Sequence, residues 1–372
     1  MAPPVSRSIL VQHSRNDVAI QAGPDEGKCN VRAAKRLLPL TRFAAQIDLS
    51  PGTGRGVASR LGLLALALVL IAAAPAATPI LLREQAWTPA SPERAQILTH
   101  APGECLRERA AQIEIGRALF RSPALLGGPA ARAGLSCNAC HSNGRVNAHF
   151  LLPELTNRPG AADVTSAWAS KVRGDGVMNP RDIPDLAGVS RRTAFGHAGD
   201  PSLEHFVRSV IEEEFQGPPP SAQAFDGLIA YLRAHDLSAC AAETPITLAS
   251  AADDVRRALA AAQTADAPTA SLLLYAAQDS IGRIVERLPA SRFAVDRRGL
   301  EDLSRDLGAL RGGDVVTLLE ADAPAWAARF DALIARIARR ERRTYFNERT
   351  LARALIQNER DTRRPPPLDG RG

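Results

Sequence analysis

Two cysteines and a histidine stand close together near the middle of the chain, in the run Cys137-Asn138-Ala139-Cys140-His141. On a helix, positions i and i+3 share a face, so both sulfur atoms of this run would point the same way. Two thiols placed like this can form thioethers with the vinyl groups of one porphyrin, and the histidine that follows can bind its iron. The pattern therefore predicts a covalently attached haem c, with Cys137 and Cys140 as attachment points and His141 as proximal ligand.

Cysteines at this spacing also occur in zinc sites and in thioredoxin-like sites. A zinc site needs a second pair of ligands at similar spacing, and the sequence contains none. A thioredoxin-like site needs a β-α-β context, whereas a loop of small residues precedes this motif. We therefore expect haem chemistry rather than zinc binding or disulfide exchange.

The other cysteines are Cys29, near the start of the chain, and Cys105 and Cys240, on either side of the haem motif. In an exported protein, two cysteines that flank one domain are expected to pair. A bridge across such a long loop stabilises a fold by about 4–5 kcal/mol in the chain-entropy model. We predict a Cys105–Cys240 disulfide, with two separate thiols as the alternative.

Several residues are candidates for the distal side of the iron. Met178, the only methionine besides Met1, lies in a Gly- and Pro-containing loop after the motif. A thioether ligand raises the haem potential and suits an electron carrier, whereas a structural methionine would fill a gap in the core. His197 is the main rival, because imidazole binds iron readily, and His149 and His205 are weaker candidates. An iron with no protein ligand on this side would be open to peroxide or a small gas.

The haem propionates need cations or hydrogen-bond donors where they are buried. Arg145, Arg158 and Lys171 follow the haem motif and are candidates for this role. Each of them can equally belong to a solvated surface, because the chain is rich in arginine.

From Ile115 to about Asp236 the sequence resembles the haem domains of bacterial di-haem cytochrome c peroxidases and their methylamine-utilisation relatives. Besides the haem motif with Leu135-Ser136 before it, the resemblance is carried by Gly116-Arg117-Ala118-Leu119-Phe120, Ile183-Pro184-Asp185-Leu186, Phe195-Gly196-His197-Ala198-Gly199 and Ser202-Leu203-Glu204. The later segments are similar to the family's Pro-x-Leu segment and Phe-His-x-Gly turn. The resemblance implies a helical haem domain in which His197 lies near the haem.

The chain departs from that family in two respects. The family enzymes carry two haems, one for electron transfer and one for peroxide, whereas this chain has a single C-x-x-C-H. The family's sixth ligand to the second haem, a methionine or tyrosine, would fall at Ile211, whose side chain cannot bind iron. We therefore expect an electron carrier that meets a redox partner protein. The alternatives are a peroxidase-like protein supplied by a partner cytochrome, and a haem-bearing sensor or scaffold.

Composition favours helices and excludes two broad classes of protein. Only 4% of the residues are aromatic, which argues against a large β-sandwich or barrel, while abundant Ala, Leu and Arg favour helices. Most of the formal net charge of +6 comes from residues 1–60, with nine Lys and Arg against four Asp and Glu. The remainder is almost neutral, so a nucleic-acid footprint is not supported. We predict a mainly α fold, in which a class I cytochrome c-like helical haem domain is followed by a helical bundle.

The start of the chain has the composition of a targeting segment. Residues 61–82 carry no charge and follow Arg55 and Arg60, as expected for a signal peptide. The same run is just long enough for a transmembrane anchor. We assign the signal peptide or anchor to residues 57–77, which places the body in the periplasm, either free or anchored to the inner membrane. Residues 1–56 form a polar leader that is either not translated or a cytoplasmic tail.

The body divides where the composition changes. We expect a Pro-rich linker over 78–103, a cytochrome c domain over 104–240, a helical domain over 241–360 and a tail over 361–372. Amphipathic patterns in the helical domain, with breaks near an Asp-Ala-Pro, a Leu-Pro, a Gly-Gly and a second Asp-Ala-Pro, predict four or five helices. That domain contains no Cys, His or Met, so it is either a docking or dimerisation module or a bundle that caps the cytochrome.

Overall fold

Helices make up most of the computed structural model, which describes residues 82–196, 198–311 and 314–363. Its α-helices are α1 (Arg94–Thr99), α2 (Ala111–Phe120), α3 (Gly128–Arg132), α4 (Cys137–Cys140), α5 (Leu203–Ser209), α6 (Ala222–Arg233), α7 (Leu248–Ala262), α8 (Ala267–Glu286), α9 (Ala290–Leu310), α10 (Val315–Ala338) and α11 (Glu348–Arg363). The strands have two residues each: β1 (His100–Ala101), β2 (Ala161–Ala162), β3 (Arg181–Asp182) and β4 (Thr244–Pro245). β1 pairs antiparallel with β4, and β2 with β3. The mainly α class is confirmed.

Several expectations fall on residues 1–81, His197, Gly312, Gly313 and 364–372, which lie outside the described residues. They are the polar leader, the signal peptide or anchor, one candidate iron ligand, one helix break and most of the tail. Within the described ranges, no helix is both long and apolar enough to cross a membrane.

The segment expected to be a linker, 78–103, is folded from Leu82 onward. Leu82 and Leu98 are buried against α11, and Arg83 forms an ion pair with Asp279 of α8. The pairing of β1 with β4 adds a further attachment. Pro89, Pro92 and Pro102 lie outside the helices and strands. Ala95 and Leu98 on the buried side of α1 pack this segment against α11.

α2 and α6 cross at a pair of glycines. A Cβ atom on Gly116 of α2 would lie 1.9 Å from the carbonyl oxygen of Gly227 on α6. Phe120 and Tyr231 are buried beside the crossing, with ring centroids 5.1 Å apart. Because only glycine lets two helix backbones approach so closely, this crossing fixes the relation between the helices on either side of the haem motif.

The helices of residues 104–240 and 241–360 pack on one another. Apolar side chains from both segments form one contiguous hydrophobic core. Glu114 of α2 also forms an ion pair with Arg257 of α7, with an N–O distance of 2.6 Å. Both segments belong to one compact unit, Ala76–Gly372. The helices of 241–360 therefore share a hydrophobic core with those of 104–240.

Five helices follow residue 246 in the described part of the chain, as expected, and two of the four expected breaks coincide with helix starts. Asp266 is the N-cap of α8, and Pro289 is the N-cap of α9. The break expected near Asp322 is wrong, because α10 continues through Pro324. A proline inside a helix removes one backbone hydrogen bond, but the buried face of α10, including Trp326, keeps the helix continuous.

Candidate functional site

The two thiols of the haem motif lie on α4, one turn apart. Both are free cysteines, and both contact an apolar cluster that includes Leu126 and Phe150. Burial raises the pKa of Cys137 and of Cys140 to about 12. The structure thus presents two neutral thiols at the i and i+3 positions of a helix.

His141 directly follows α4, and a backbone carbonyl orients its ring. Its Nδ1 atom lies 3.0 Å from the carbonyl oxygen of Pro184. Because a carbonyl can only accept a hydrogen bond, Nδ1 carries the proton and Nε2 keeps its lone pair. Burial lowers the pKa of His141 to about 4, so the ring is neutral at neutral pH. A neutral imidazole whose other nitrogen is tied to a carbonyl is the form that binds metals.

Pro184 is tied back to the turn that follows His141. Residues Ser142–Gly144 form a 3₁₀ turn, and the carbonyl of Gly144 accepts a hydrogen bond of 2.9 Å from the backbone N–H of Leu186. His141, the turn, Leu186 and Pro184 therefore form a closed ring of covalent and hydrogen bonds. We call residues 141–144 and 184–186 the proximal ring.

Asn143, in the middle of that turn, has a positive φ of 53°. Asparagine adopts this left-handed conformation more readily than most residues. Its side-chain amide is held on both sides: Oδ1 accepts from Arg121 at 2.6 Å and Nδ2 donates to the carbonyl of Pro102 at 2.7 Å. Its backbone N–H donates to Oδ1 of Asn138 at 2.9 Å. Arg121 and Pro102, outside the haem motif, thus hold the side chain of Asn143, while Asn138 of the motif holds its backbone.

Arg121 belongs to a buried charged cluster behind the haem motif. Its Nη2 donates to Glu104 at 2.6 Å and its Nη1 to the hydroxyl of Tyr231 at 3.2 Å. Arg117, one helical turn earlier, also donates to Glu104 at 2.9 Å. Burial opposes ionisation of Glu104, but Arg121 and Arg117 outweigh it and hold the pKa of this carboxyl well below its usual range. Glu104 is therefore ionised at physiological pH.

His235 supports the same turn from the other side. It is fully buried, its Nδ1 lies 2.8 Å from the carbonyl of Tyr231, and burial lowers its pKa. A Cβ atom on Gly144 would lie 2.0 Å from Nε2 of His235. The carbonyl of His235 accepts the N–H of Gly188 at 2.9 Å. This histidine therefore packs behind the proximal ring.

The predicted disulfide joins Cys105 and Cys240 in the structure. Cys105 is fully buried, and its carbonyl accepts the N–H of Asp236 at 2.8 Å. The bridge therefore ties the segment that carries Glu104 to the residues just after α6.

The cations expected near the propionates have protein partners or face solvent. Arg145 forms an ion pair with Asp185 at 2.5 Å, and Arg158 one with Asp182 at 2.5 Å. Lys171 is exposed. Arg145 directly follows Gly144, and its ion pair joins the end of the turn to Asp185 of the proximal ring, so this residue already has a structural role.

Arg192 is a cation near His141 that no sequence pattern singled out. Its charge acts on His141 and favours the neutral ring, in addition to the larger effect of burial. Arg192 also lines a cavity of about 240 Å³ beside the Phe195–Gly199 segment. The residues lining that cavity are Val189, Ser190, Arg192, Phe195, Pro201, Ser202, Leu203, Glu204 and Arg233.

Met178 lies in the loop between β2 and β3, with 48% of its surface exposed. Two carboxylates fasten this loop: Asp163 accepts the N–H of Asn179 at 3.0 Å, and Asp175 accepts the N–H of Val177 at 2.8 Å. An exposed Met178 does not fill a gap in the core. Of the two roles expected for it, iron ligation stays a prediction.

The weaker candidates for the distal ligand differ from His141 in their exposure to solvent. His149 and His205 are exposed, and Nδ1 of His205 is hydrogen-bonded to Asp200. Ile211 is 1% exposed and belongs to the main hydrophobic core. In the part of the chain that the structure describes, no group of three or more His, Cys, Asp or Glu side chains could hold a metal ion.

Comparison of the chain with protein-family models, curated proteins and solved structures gives no match. The function of the chain is therefore inferred from the residues of the site. The Asn-Gly pair of the turn after the motif is a turn signal in the sequence, but nothing local indicates that Arg121, Glu104 and His235 meet there.

Proposed function

We propose that this protein is an exported mono-haem c-type cytochrome that transfers electrons through one covalently bound haem c. A single observation carries the proposal. Two free, neutral thiols lie one helical turn apart, and the histidine that follows them has its Nδ1 tied to a carbonyl, which leaves Nε2 for iron.

The residues present fit a c-type haem. Each thiol, of Cys137 and of Cys140, would add across one vinyl double bond, with sulfur bonding to one carbon and the thiol hydrogen passing to the other, so no oxidant is required. The haem would supply a one-electron ferric/ferrous couple. His141 would provide the axial lone pair, and its bond to Pro184 would hold the ring orientation and increase its basicity.

The helical arrangement supports a class I cytochrome c-like haem domain. α2 and α6 cross at Gly116 and Gly227, with Phe120 and Tyr231 packed at the crossing. α4 contacts both the core around that crossing, through Cys137, and the second apolar cluster, through both thiols. The resemblance to the haem domains of di-haem peroxidases points the same way.

On the distal side we propose Met178 as the sixth ligand, with His197 as the alternative. The side chain of Met178 is exposed and does not pack in the core, which is compatible with ligation.

The chain would act in the periplasm, either free or anchored to the inner membrane, and would exchange electrons with a second redox protein. Arg192 is a better candidate for a propionate partner than Arg158, because its charge acts on His141.

The test is to produce the full chain in a host that exports and matures c-type cytochromes. We expect a pyridine haemochrome of the c type, haem that stays attached after denaturation, and a low-spin six-coordinate iron. The double variant Cys137→Ser/Cys140→Ser is the matched control and should carry no covalent haem. Absence of covalent haem from the unchanged protein would refute the proposal, and a high-spin iron that reacts with peroxide would replace the carrier by a peroxidase-like protein.

A further inference from the structure

We propose that Asn143 and Arg121 are positioning residues for the axial histidine. They fix the turn after the haem motif and so determine, through the proximal ring, the hydrogen bond between Pro184 and His141. The consequence at the iron rests on the proposed function, whereas the effect on the tautomer and orientation of His141 does not.

Two hydrogen bonds of the proximal ring, Leu186 to Gly144 and His141 to Pro184, connect the turn to the imidazole of His141. Asn143 and Gly144 have consecutive positive φ angles of 53° and 77°, and these determine where the Gly144 carbonyl points. That carbonyl holds the N–H of Leu186 at 2.9 Å, two residues from the Pro184 carbonyl that accepts from His141. A change of conformation at Asn143 therefore moves the acceptor on which the ring of His141 depends.

Asparagine is the residue type that meets all the requirements at this position. Arg121 requires an acceptor, which Oδ1 supplies at 2.6 Å, and the carbonyl of Pro102 requires a donor, which Nδ2 supplies at 2.7 Å. Aspartate would keep the acceptor and lose the donor. Glycine would keep the left-handed backbone and lose both hydrogen bonds, so the two substitutions separate the functions of the amide.

Arg121 is fixed independently of the turn. The same Nη2 atom that holds Asn143 also donates to Glu104 at 2.6 Å, and Nη1 donates to Tyr231 on α6. Glu104 stays ionised because Arg121 and Arg117 hold its pKa low. The turn is therefore anchored to α2, to α6 and to the segment held by the disulfide, in addition to its local hydrogen bond with Asn138.

The experiment compares Asn143→Gly, Asn143→Asp and Arg121→Gln with the unchanged full chain. A matched control is Asp296→Asn in the helical bundle, where a buried carboxylate accepts from Arg336 at 2.8 Å and from Arg340 at 2.6 Å. The readouts are the midpoint potential of the haem and the ¹⁵N chemical shifts of the His141 ring. The control should lose stability with no change in either readout.

We expect the midpoint potential to rise in Asn143→Gly and Arg121→Gln, because a weaker bond at Nδ1 makes His141 a poorer donor to ferric iron. The Nδ1 shift should move toward that of a ring with no carbonyl partner. Both the potential and the shift of Asn143→Asp should lie between those of Asn143→Gly and of the unchanged protein.

If Arg121→Gln does not fold, Asn143→Gly still gives the result, because glycine accepts the backbone conformation. Unchanged potential and ring shifts in a less stable Asn143→Gly protein would overturn the inference. If the unchanged protein carries no haem, the proposed function fails, while the ring shifts still decide the positioning role.

Discussion

Removal of the Cys105–Cys240 disulfide should reduce the free energy of unfolding by an amount that follows from the loop it closes. The two cysteines are 135 residues apart in sequence. A loop of that length removes about 17 cal/mol/K of entropy from the unfolded chain, or about 5 kcal/mol at room temperature. Because whole domains are stable by about 5–15 kcal/mol, Cys105→Ser/Cys240→Ser should lie near the limit of folding.

The assay is urea unfolding of the haem-loaded protein, followed by tryptophan fluorescence with and without a reductant. A reductant also acts on the haem iron, so its effect on the double variant serves as the baseline. Relative to that baseline, the unchanged protein should lose stability when it is reduced. Alkylation and mass analysis under denaturing conditions should show no free thiol at Cys105 or Cys240 in the unchanged protein. A loss below about 2 kcal/mol, against the about 5 kcal/mol of the chain-entropy model, would refute the reasoning that the bridge acts on the unfolded chain.

Three further results follow from single residues. Gly116→Ala should reduce the free energy of unfolding by about 2–3 kcal/mol in urea unfolding, since its Cβ would lie 1.9 Å from the Gly227 carbonyl oxygen. Burial raises the pKa of Glu214 from 4.5 to about 7, even though Arg173 opposes this. The folded state therefore binds the extra proton between these values, and stability should fall by about 3 kcal/mol as the pH rises through that window; Glu214→Gln should flatten the curve. Met178→Ala should increase the high-spin fraction in the haem spectrum, and an unchanged spectrum would remove Met178 from the iron.

Local sequence patterns predicted the parts of the site that local geometry controls. The spacing of Cys137 and Cys140 predicted their common position on a helix, and the structure places them one turn apart on α4. The breaks expected at the first Asp-Ala-Pro and at the Leu-Pro coincide with the starts of α8 and α9. These features depend on residues within a few positions of each other, so a single sequence contains the information.

The features that sequence reasoning missed depend on contacts between distant segments. Residues 82–103 were expected to be a linker because of their prolines, but burial of Leu82 and Leu98 against α11 overrides that local signal. Pro324 was expected to end a helix, and packing of α10 keeps it continuous. Arg121 and Asn143 are 22 residues apart, and no local pattern indicates which of the many arginines meets the amide.

The two sides of the candidate iron site differ in how they are built, and this difference bears on how the protein would acquire its function. On the side of His141, every hydrogen bond of the proximal ring joins two protein groups, and the ring is anchored to α2 and α6 through Arg121. On the side of Met178, the loop is fastened at Asp163 and Asp175 while the methionine itself is exposed. The ring of His141 is thus preorganised by the fold, whereas a distal ligand from this loop would have to be drawn in by its bond to iron. Substitutions in the proximal ring should therefore change the potential and spectrum of the haem, and substitutions in the loop should change mainly the strength and exchange of the sixth ligand.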